Sequence, residues 1–123
     1  MKKALIVDDS KAIRQIERKY LEELGFIVVE AENGEEALEI LKAHPDIELI
    51  LLDWYMPVMN GYEFLKKMRE NQEWSHIKVM MVTTENQQKN IIEAIMAGAN
   101  EYLMKPFDKE MLETKIRYLF EEF

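Results

Sequence analysis

The sequence predicts an α/β fold, a doubly wound (βα)5 unit around a five-stranded parallel sheet. Two observations carry this prediction. Short, unbroken apolar runs alternate along the chain with segments of helical spacing. An acidic, hydroxyl or basic residue directly follows most of those runs, as at the functional edge of such sheets.

The runs Ala4–Val7, Leu49–Leu52, Val79–Val82 and Tyr102–Met104 lack the polar alternation of a half-exposed strand, so both of their faces are covered. Ile27–Val29 completes the set. Between them lie apolar stripes at helical spacing: Ile13, Ile16, Tyr20 and Leu24; Ala37, Leu38 and Leu41; Phe64, Leu65 and Met68. Ile92, Ile95 and Met96 form a fourth stripe, and Leu112, Ile116, Leu119 and Phe123 a fifth. Ser10 and Asp108 are placed to cap the first and last helices, and Gly25 and Gly98 suit the left-handed residue after a helix end. Parallel connections must cross over right-handed, which sends helices to both faces. Pattern alone leaves the strand order open. If it is 2-1-3-4-5, the switch point falls between the first and third strands, and ligands are expected at the carboxyl edge there.

A length of 123 residues suits one core, so residues 1–123 are expected to form a single domain. No stretch approaches the roughly 18 apolar residues of a membrane span. The opening apolar run ends at Asp8 and Asp9, too soon for a signal-peptide core, and a cytoplasmic location is the default expectation. Cysteine is absent, which excludes disulfides and thiolate metal sites. A net charge of −8 disfavours contact with a nucleic-acid backbone.

Asp8 and Asp9 follow the first run, Asp53 the third, Thr83 the fourth and Lys105 the fifth. Singly, each has an ordinary reading as a turn former, helix cap, strand residue or surface lysine. In the expected fold all five converge. Three crowded carboxylates require either a retained proton or a cation, and a cation is the better answer. With oxygen ligands only, the ion should be hard, and Mg²⁺ fits. A carboxylate nucleophile, a hydroxyl and an ammonium beside Mg²⁺ are the parts needed to stabilise a transferring phosphoryl group, with Asp53 as the nucleophile.

The segments Leu5–Ser10, Leu51–Asp53, Met56-Pro57 with Gly61, Val82-Thr83, Ala97–Ala99 and Lys105–Phe107 resemble the receiver domain of bacterial response regulators. The resemblance implies the 2-1-3-4-5 order and a phosphoryl group accepted by Asp53 from a histidine kinase. It further implies Mg²⁺ held by Asp9 directly, by Asp8 mainly through water, by Asp53 and by the Tyr55 backbone carbonyl. Lys105 and Thr83 would meet the phosphoryl oxygens, a cis bond would precede Pro106, and Thr83 with Tyr102 would form a switch pair. Pro57 and Gly61 would shape the loop after Asp53. Thr83–Glu85, Asn90–Ile92, Tyr102 and Lys115 are similar to chemotaxis regulators of the CheY type, which dock on the flagellar motor switch. That likeness implies a monomer and a partner surface including Ile91, Tyr102 and Lys115, with Met111 and Tyr118 also off the core stripes. Tyr55 stands where the best-known members have Asn, and Thr84 where Ala is commoner, so the phosphoryl lifetime is left open. A phosphorelay intermediate or part of a longer regulator is the alternative output.

Two other classes were weighed. A dehalogenase-type phosphatase needs a second Asp two residues after its nucleophile, where Tyr55 stands. A flavodoxin needs a phosphate loop after the first strand, where Asp8 and Asp9 would repel it. Trp54 and Tyr55 read equally as a binding surface or as cover for their neighbours, His44 and His76 as surface residues, and most of the nine methionines as packing.

Overall fold

The computed structural model describes residues 2–120. The chain runs β1 (Lys3–Val7), α1 (Lys11–Glu23), β2 (Ile27–Ala31), α2 (Gly34–Ala43), β3 (Ile47–Leu52), α3 (Gly61–Arg69), β4 (Lys78–Thr83), α4 (Gln88–Met96), β5 (Glu101–Met104) and α5 (Lys109–Leu119), with a 3-10 turn at Gln72–Trp74. All strands pair in parallel in the order β2-β1-β3-β4-β5, as the sequence led us to expect.

Within each apolar run the side chains still alternate between two cores. Leu5, Val7, Ile50, Leu52, Val79 and Met81 face one side, against Ala37 and Leu41 of α2, Phe64, Leu65 and Met68 of α3 and Ala94 of α4. Ala4, Ile6, Leu49, Leu51, Met80 and Val82 face the other, against Leu21 of α1 and Leu112 and Ile116 of α5. A parallel sheet covered on both faces needs apolar side chains at consecutive positions, which is why these runs show no alternation in sequence.

The helix ends follow local chemistry. Ser10 accepts from the Ile13 amide at 3.3 Å, and Asp108 from the Met111 amide at 2.8 Å. Asn60 and Glu63 form a reciprocal capping box that starts α3. Gly25 and Gly98 take φ of 97° and 118°, which end α1 and α4 in the conformation glycine favours. At the edge opposite the strands' carboxyl ends, Arg69 donates to the carbonyls of Gly98 and Ile77 at 3.0 and 2.8 Å, tying α3 to the flanks of β4 and β5.

Two stripes differ from the sequence reading. In α1 the fully or nearly buried residues are Arg14, Glu17 and Leu21, while Ile16 is 45% exposed. Arg14 explains part of this rotation, because its stem lies in the interior and its guanidinium reaches Glu30 and the Asp8 carbonyl. In α4 only Ala94 is buried, and Ile92, Ile95 and Met96 face solvent. Ile91, read as an exposed partner residue, is half-buried instead. Small residues, Ala94 and Ala97, make this helix's contact with the core, so its bulkier side chains point outward. Phe123 of the fifth stripe lies outside the described residues. Among the described residues no helix is long and apolar enough to cross a membrane.

The rotation of α4 is testable by chemical denaturation. Leu51→Ala should cost about 2 to 5 kcal/mol through loss of buried volume. Ile92→Ala should change stability by no more than about 0.5 kcal/mol, as at an ordinary surface position. A large loss at Ile92 would restore the original stripe.

Candidate functional site

Parallel register fixes which residues meet at the carboxyl edge. Val7 is level with Leu52, and the Asp53 amide donates to the Val7 carbonyl at 3.0 Å, so Asp8 and Asp53 leave adjacent strands side by side. Thr83 is level with Met104, and the Lys105 amide donates to the Thr83 carbonyl at 3.0 Å. Four strand ends thus supply one site.

Carboxylate oxygens of Asp8, Asp9 and Asp53 all lie within 4.8 Å of one another. Asp8 is buried and both its oxygens are engaged: the Ser10 amide donates to Oδ1 at 2.9 Å and Lys105 Nζ to Oδ2 at 2.6 Å. The same ammonium stands 3.5 Å from Asp53 Oδ2. Arg14 holds the strand end from behind, donating to the Asp8 carbonyl at 2.7 Å and to Glu30 Oε1 at 2.9 Å. Asp9 is exposed.

Burial raises the Asp53 pKa and the Asp8 charge adds to that, while the Thr83 hydroxyl and Lys105 act against it. Burial works to lower the Lys105 pKa, but the hydrogen bond to Asp8 and the Asp53 charge outweigh it and the net shift is upward. The site therefore holds its lysine charged. A clustered, all-oxygen donor set without Cys or His, with Asp9 open to solvent, fits a hard ion such as Mg²⁺.

The loop after Asp53 is held close to it. A Cβ on Gly61 would stand 2.0 Å from the Asp53 carbonyl oxygen, so only glycine permits this approach. The Gly61 amide donates to the Trp54 carbonyl at 2.9 Å. Val58 has φ of 69°, and the Met59 amide donates across it to the Pro57 carbonyl at 2.7 Å. Trp54 is half-buried and stacks on Tyr62 with centroids 5.3 Å apart, so it covers its neighbours. The Lys105-Pro106 bond is cis, as the resemblance implied.

Tyr55 is exposed, and its hydroxyl donates to the Glu85 carboxylate across the mouth of the site. Tyr102 donates to the Glu85 backbone carbonyl at 2.8 Å, and the Glu85 amide donates to Thr83 Oγ1 at 3.2 Å. Burial, with the Glu85 charge, pushes the Tyr102 pKa up to about 12, so the phenol stays protonated as a donor. Lys115, read as a partner residue, pairs with Glu101 at 3.0 Å. His44 contacts Lys3 and His76 is exposed; neither joins the carboxylate cluster.

Two residues of the site have no role in the sequence reading. Glu85 joins Thr83, Tyr55 and Tyr102, and its only sequence signal is its place two residues after Thr83. Glu17 is almost fully buried, and its Oε2 has no hydrogen-bond partner among the described residues. Its one sequence signal is its place three residues after Arg14 and four before Leu21, the i, i+3, i+7 spacing of one helix face, and its charge makes it easily mistaken for part of a solvated face.

A doubly wound parallel fold with an acidic pocket, a hydroxyl and a lysine at its switch point defines a phospho-signalling class rather than a cofactor-binding flavodoxin. Comparison with known proteins specifies it further: residues 4–117 match the response regulator receiver domain, and the chain belongs to that family. It is 42% identical over 115 residues to the chemotaxis protein CheY1 of Helicobacter pylori, with 93% of each chain covered. Among solved structures it is similar to the chemotaxis protein CheY4 of Vibrio cholerae (TM-score 0.91, 35% identity, 98% and 99% of the two chains covered). It also matches the structure of the CheX-CheY-BeF3-Mg²⁺ complex of Borrelia burgdorferi (TM-score 0.91, 27% identity, 97% and 89% covered). The protein is a CheY-like response regulator, and the phosphatase and flavodoxin readings are not favoured.

Glu17 yields a pH prediction. Burial, followed by the Asp8 charge, raises its pKa from the ordinary 4.5 to about 8. A carboxyl whose pKa rises on folding favours the fold fully below its unfolded value, and this contribution is lost as the pH rises through the folded value. Wild type should therefore lose Tm relative to Glu17→Gln between pH 4.5 and about 8 in EDTA. Parallel melting curves over that window would place the carboxyl in a polar, partnered environment.

Proposed function

We propose that residues 1–123 act as one receiver domain, a switch that accepts a phosphoryl group on Asp53 from the phosphohistidine of a histidine kinase. The observation that carries this reading is the cluster of Asp8, Asp9 and Asp53, with Lys105 at 2.6 Å from one buried carboxylate and 3.5 Å from another. Mg²⁺ would be held by Asp9 and Asp53, by Asp8 mainly through water, and by the Tyr55 backbone carbonyl. When bound it supplies charge neutralisation to the phosphoryl oxygens. Support for this ion comes from the donor chemistry and from the Borrelia neighbour, whose complex contains BeF3 and Mg²⁺.

The chain's own groups then have distinct tasks. An Asp53 carboxylate oxygen attacks phosphorus, the bond from phosphorus to the donor nitrogen breaks, and the imidazole leaves. Lys105 and the Thr83 hydroxyl meet the charge on the transferred oxygens. The burial that raises the Asp53 pKa also removes water from the nucleophile, while the Thr83 hydroxyl and Lys105 act against that rise. The product acyl phosphate leaves by hydrolysis, so the protein catalyses only its own modification and its reversal.

The output is docking on a downstream protein, with chemotaxis and the flagellar motor switch as the reading favoured by the CheY relatives. The surface is that of α4, β5 and α5, including Ile91, Tyr102 and Lys115, and the protein works as a cytoplasmic monomer. A net charge of −8 argues against nucleic acid as a direct partner. Phosphorylation draws Thr83 inward and frees Tyr102 from the Glu85 carbonyl, so that its ring rotates toward the space Thr83 leaves.

Acetyl phosphate or beryllofluoride with Mg²⁺ should perturb the fluorescence of Trp54, which adjoins Asp53. Asp53→Asn should abolish the phosphate-dependent part; labelling at the wild-type rate would place the nucleophile elsewhere. For the switch, a coupling of about 1 to 3 kcal/mol predicts that beryllofluoride raises partner affinity roughly 5- to 150-fold. Thr83→Ala and Tyr102→Ala should each reduce that ratio while leaving Mg²⁺ affinity near wild type. Titration of a motor-switch peptide with and without beryllofluoride measures it, and equal affinities in both states would remove the switch.

A further inference from the structure

Glu17 is a buried carboxyl that the phosphoryl chemistry above does not use. It is 1% exposed, on the inner face of α1, and its Oε2 has no hydrogen-bond partner among the described residues. The two arginines of its own helix are committed elsewhere, Arg14 to Glu30 and the Asp8 carbonyl, Arg18 to Glu30 and Glu22, and its two lysines, Lys11 and Lys19, are exposed on the outer side. A buried acceptor left in this way is costly unless another state of the molecule satisfies it.

Glu17 and Lys105 border the same recess, about 330 Å³ in volume, whose remaining walls are Ile13, Ile16, Thr84, Pro106 and Phe107. Lys105 is the one cation among the described residues on that lining. Each group also acts electrostatically on the other, the lysine lowering the Glu17 pKa and the glutamate raising that of Lys105. In the structure the ammonium is on Asp8 and Asp53. Those are the carboxylates that a divalent ion would claim, and an ammonium left beside that ion would be both repelled and unpaired.

We propose that Glu17 is a positioning residue that provides the second seat for the Lys105 ammonium, occupied when Mg²⁺ takes Asp8 and Asp53. This inference rests on the Mg²⁺ reading of the acidic cluster. The recess gives the lysine room to leave Asp8, and among the described residues that line it the only side-chain acceptor besides Glu17 is the Thr84 hydroxyl. Arrival of the ammonium would release to solvent the proton that the buried Glu17 carboxyl holds in the metal-free state, and the resulting pair would lower the cost of displacing Lys105 and keep the ammonium within the site, ready for the phosphoryl oxygens.

The test is Mg²⁺ titration followed by Trp54 fluorescence on wild type, Glu17→Gln, Glu17→Val, Lys105→Ala and the Glu17→Gln/Lys105→Ala double variant. Both Glu17 variants should bind Mg²⁺ about 5-fold or more weakly, the lower end of a typical coupling between sites. In the Lys105→Ala background the Glu17→Gln effect should vanish, because no ammonium remains to be rehoused. The NMR signal of the Lys105 side chain should shift on Mg²⁺ addition in wild type, as the ammonium exchanges Asp8 for Glu17, and should shift differently in Glu17→Gln. Wild-type affinity in both Glu17 variants would overturn the inference while leaving the Mg²⁺ site intact. An equal loss with and without Lys105 would also overturn it, reducing Glu17 to a distant negative charge. Failure of wild type to bind Mg²⁺ would instead overturn the metal reading, and the inference with it.

Discussion

The sharing of one ammonium by two buried carboxylates is the interaction on which this site depends. Asp8 and Asp53 are brought together by strand register, with no freedom to separate, because the Asp53 amide is bonded to the Val7 carbonyl next to Asp8. Like charges so placed destabilise the metal-free state. Lys105 offsets this for Asp8 at close range and for Asp53 only partly, at 3.5 Å. The residual excess of negative charge would favour a cation in the pocket, so the repulsion in the resting site and the proposed metal binding have one cause.

The surrounding structure fixes that arrangement from several sides. Arg14 anchors the Asp8 carbonyl from α1, Gly61 lets the loop after Asp53 close against the nucleophile's own backbone, and Thr83 accepts the amide of Glu85. Each contact involves a backbone group, and backbone groups in a packed sheet move little. The side chains of Lys105, Tyr55 and Tyr102 are laid over them, each held by a hydrogen bond to Asp8 or Glu85.

Much of this was legible in the sequence because parallel strands buried on both faces leave an unmistakable run of apolar residues, and the residue after each run is placed at the edge by topology alone. Asp8, Asp9, Asp53, Thr83 and Lys105 were found in that way, as were the caps at Ser10 and Asp108. Helix faces were less legible. In α1 the interior takes Arg14 and Glu17, whose types signal solvent, and in α4 it takes Ala94, whose weak apolar signal was overridden by Ile92, Ile95 and Met96. Glu85 was named only within the segment Thr83–Glu85, with no role of its own, for another reason. Its importance comes from two tyrosines, one 30 residues before it and one 17 after, and such contacts leave no local pattern.

The attachment of Tyr55 and Tyr102 to opposite ends of Glu85 has a consequence for anyone watching the protein work. One phenol holds the carboxylate and the other the main-chain carbonyl of the same residue. A fluorotyrosine label at either position would therefore report displacement of that single segment, and simultaneous changes in both signals would record one event seen twice. Independent information about the rest of the molecule has to come from a chromophore tied to a different loop, and Trp54, stacked on Tyr62 at the start of α3, is such a group.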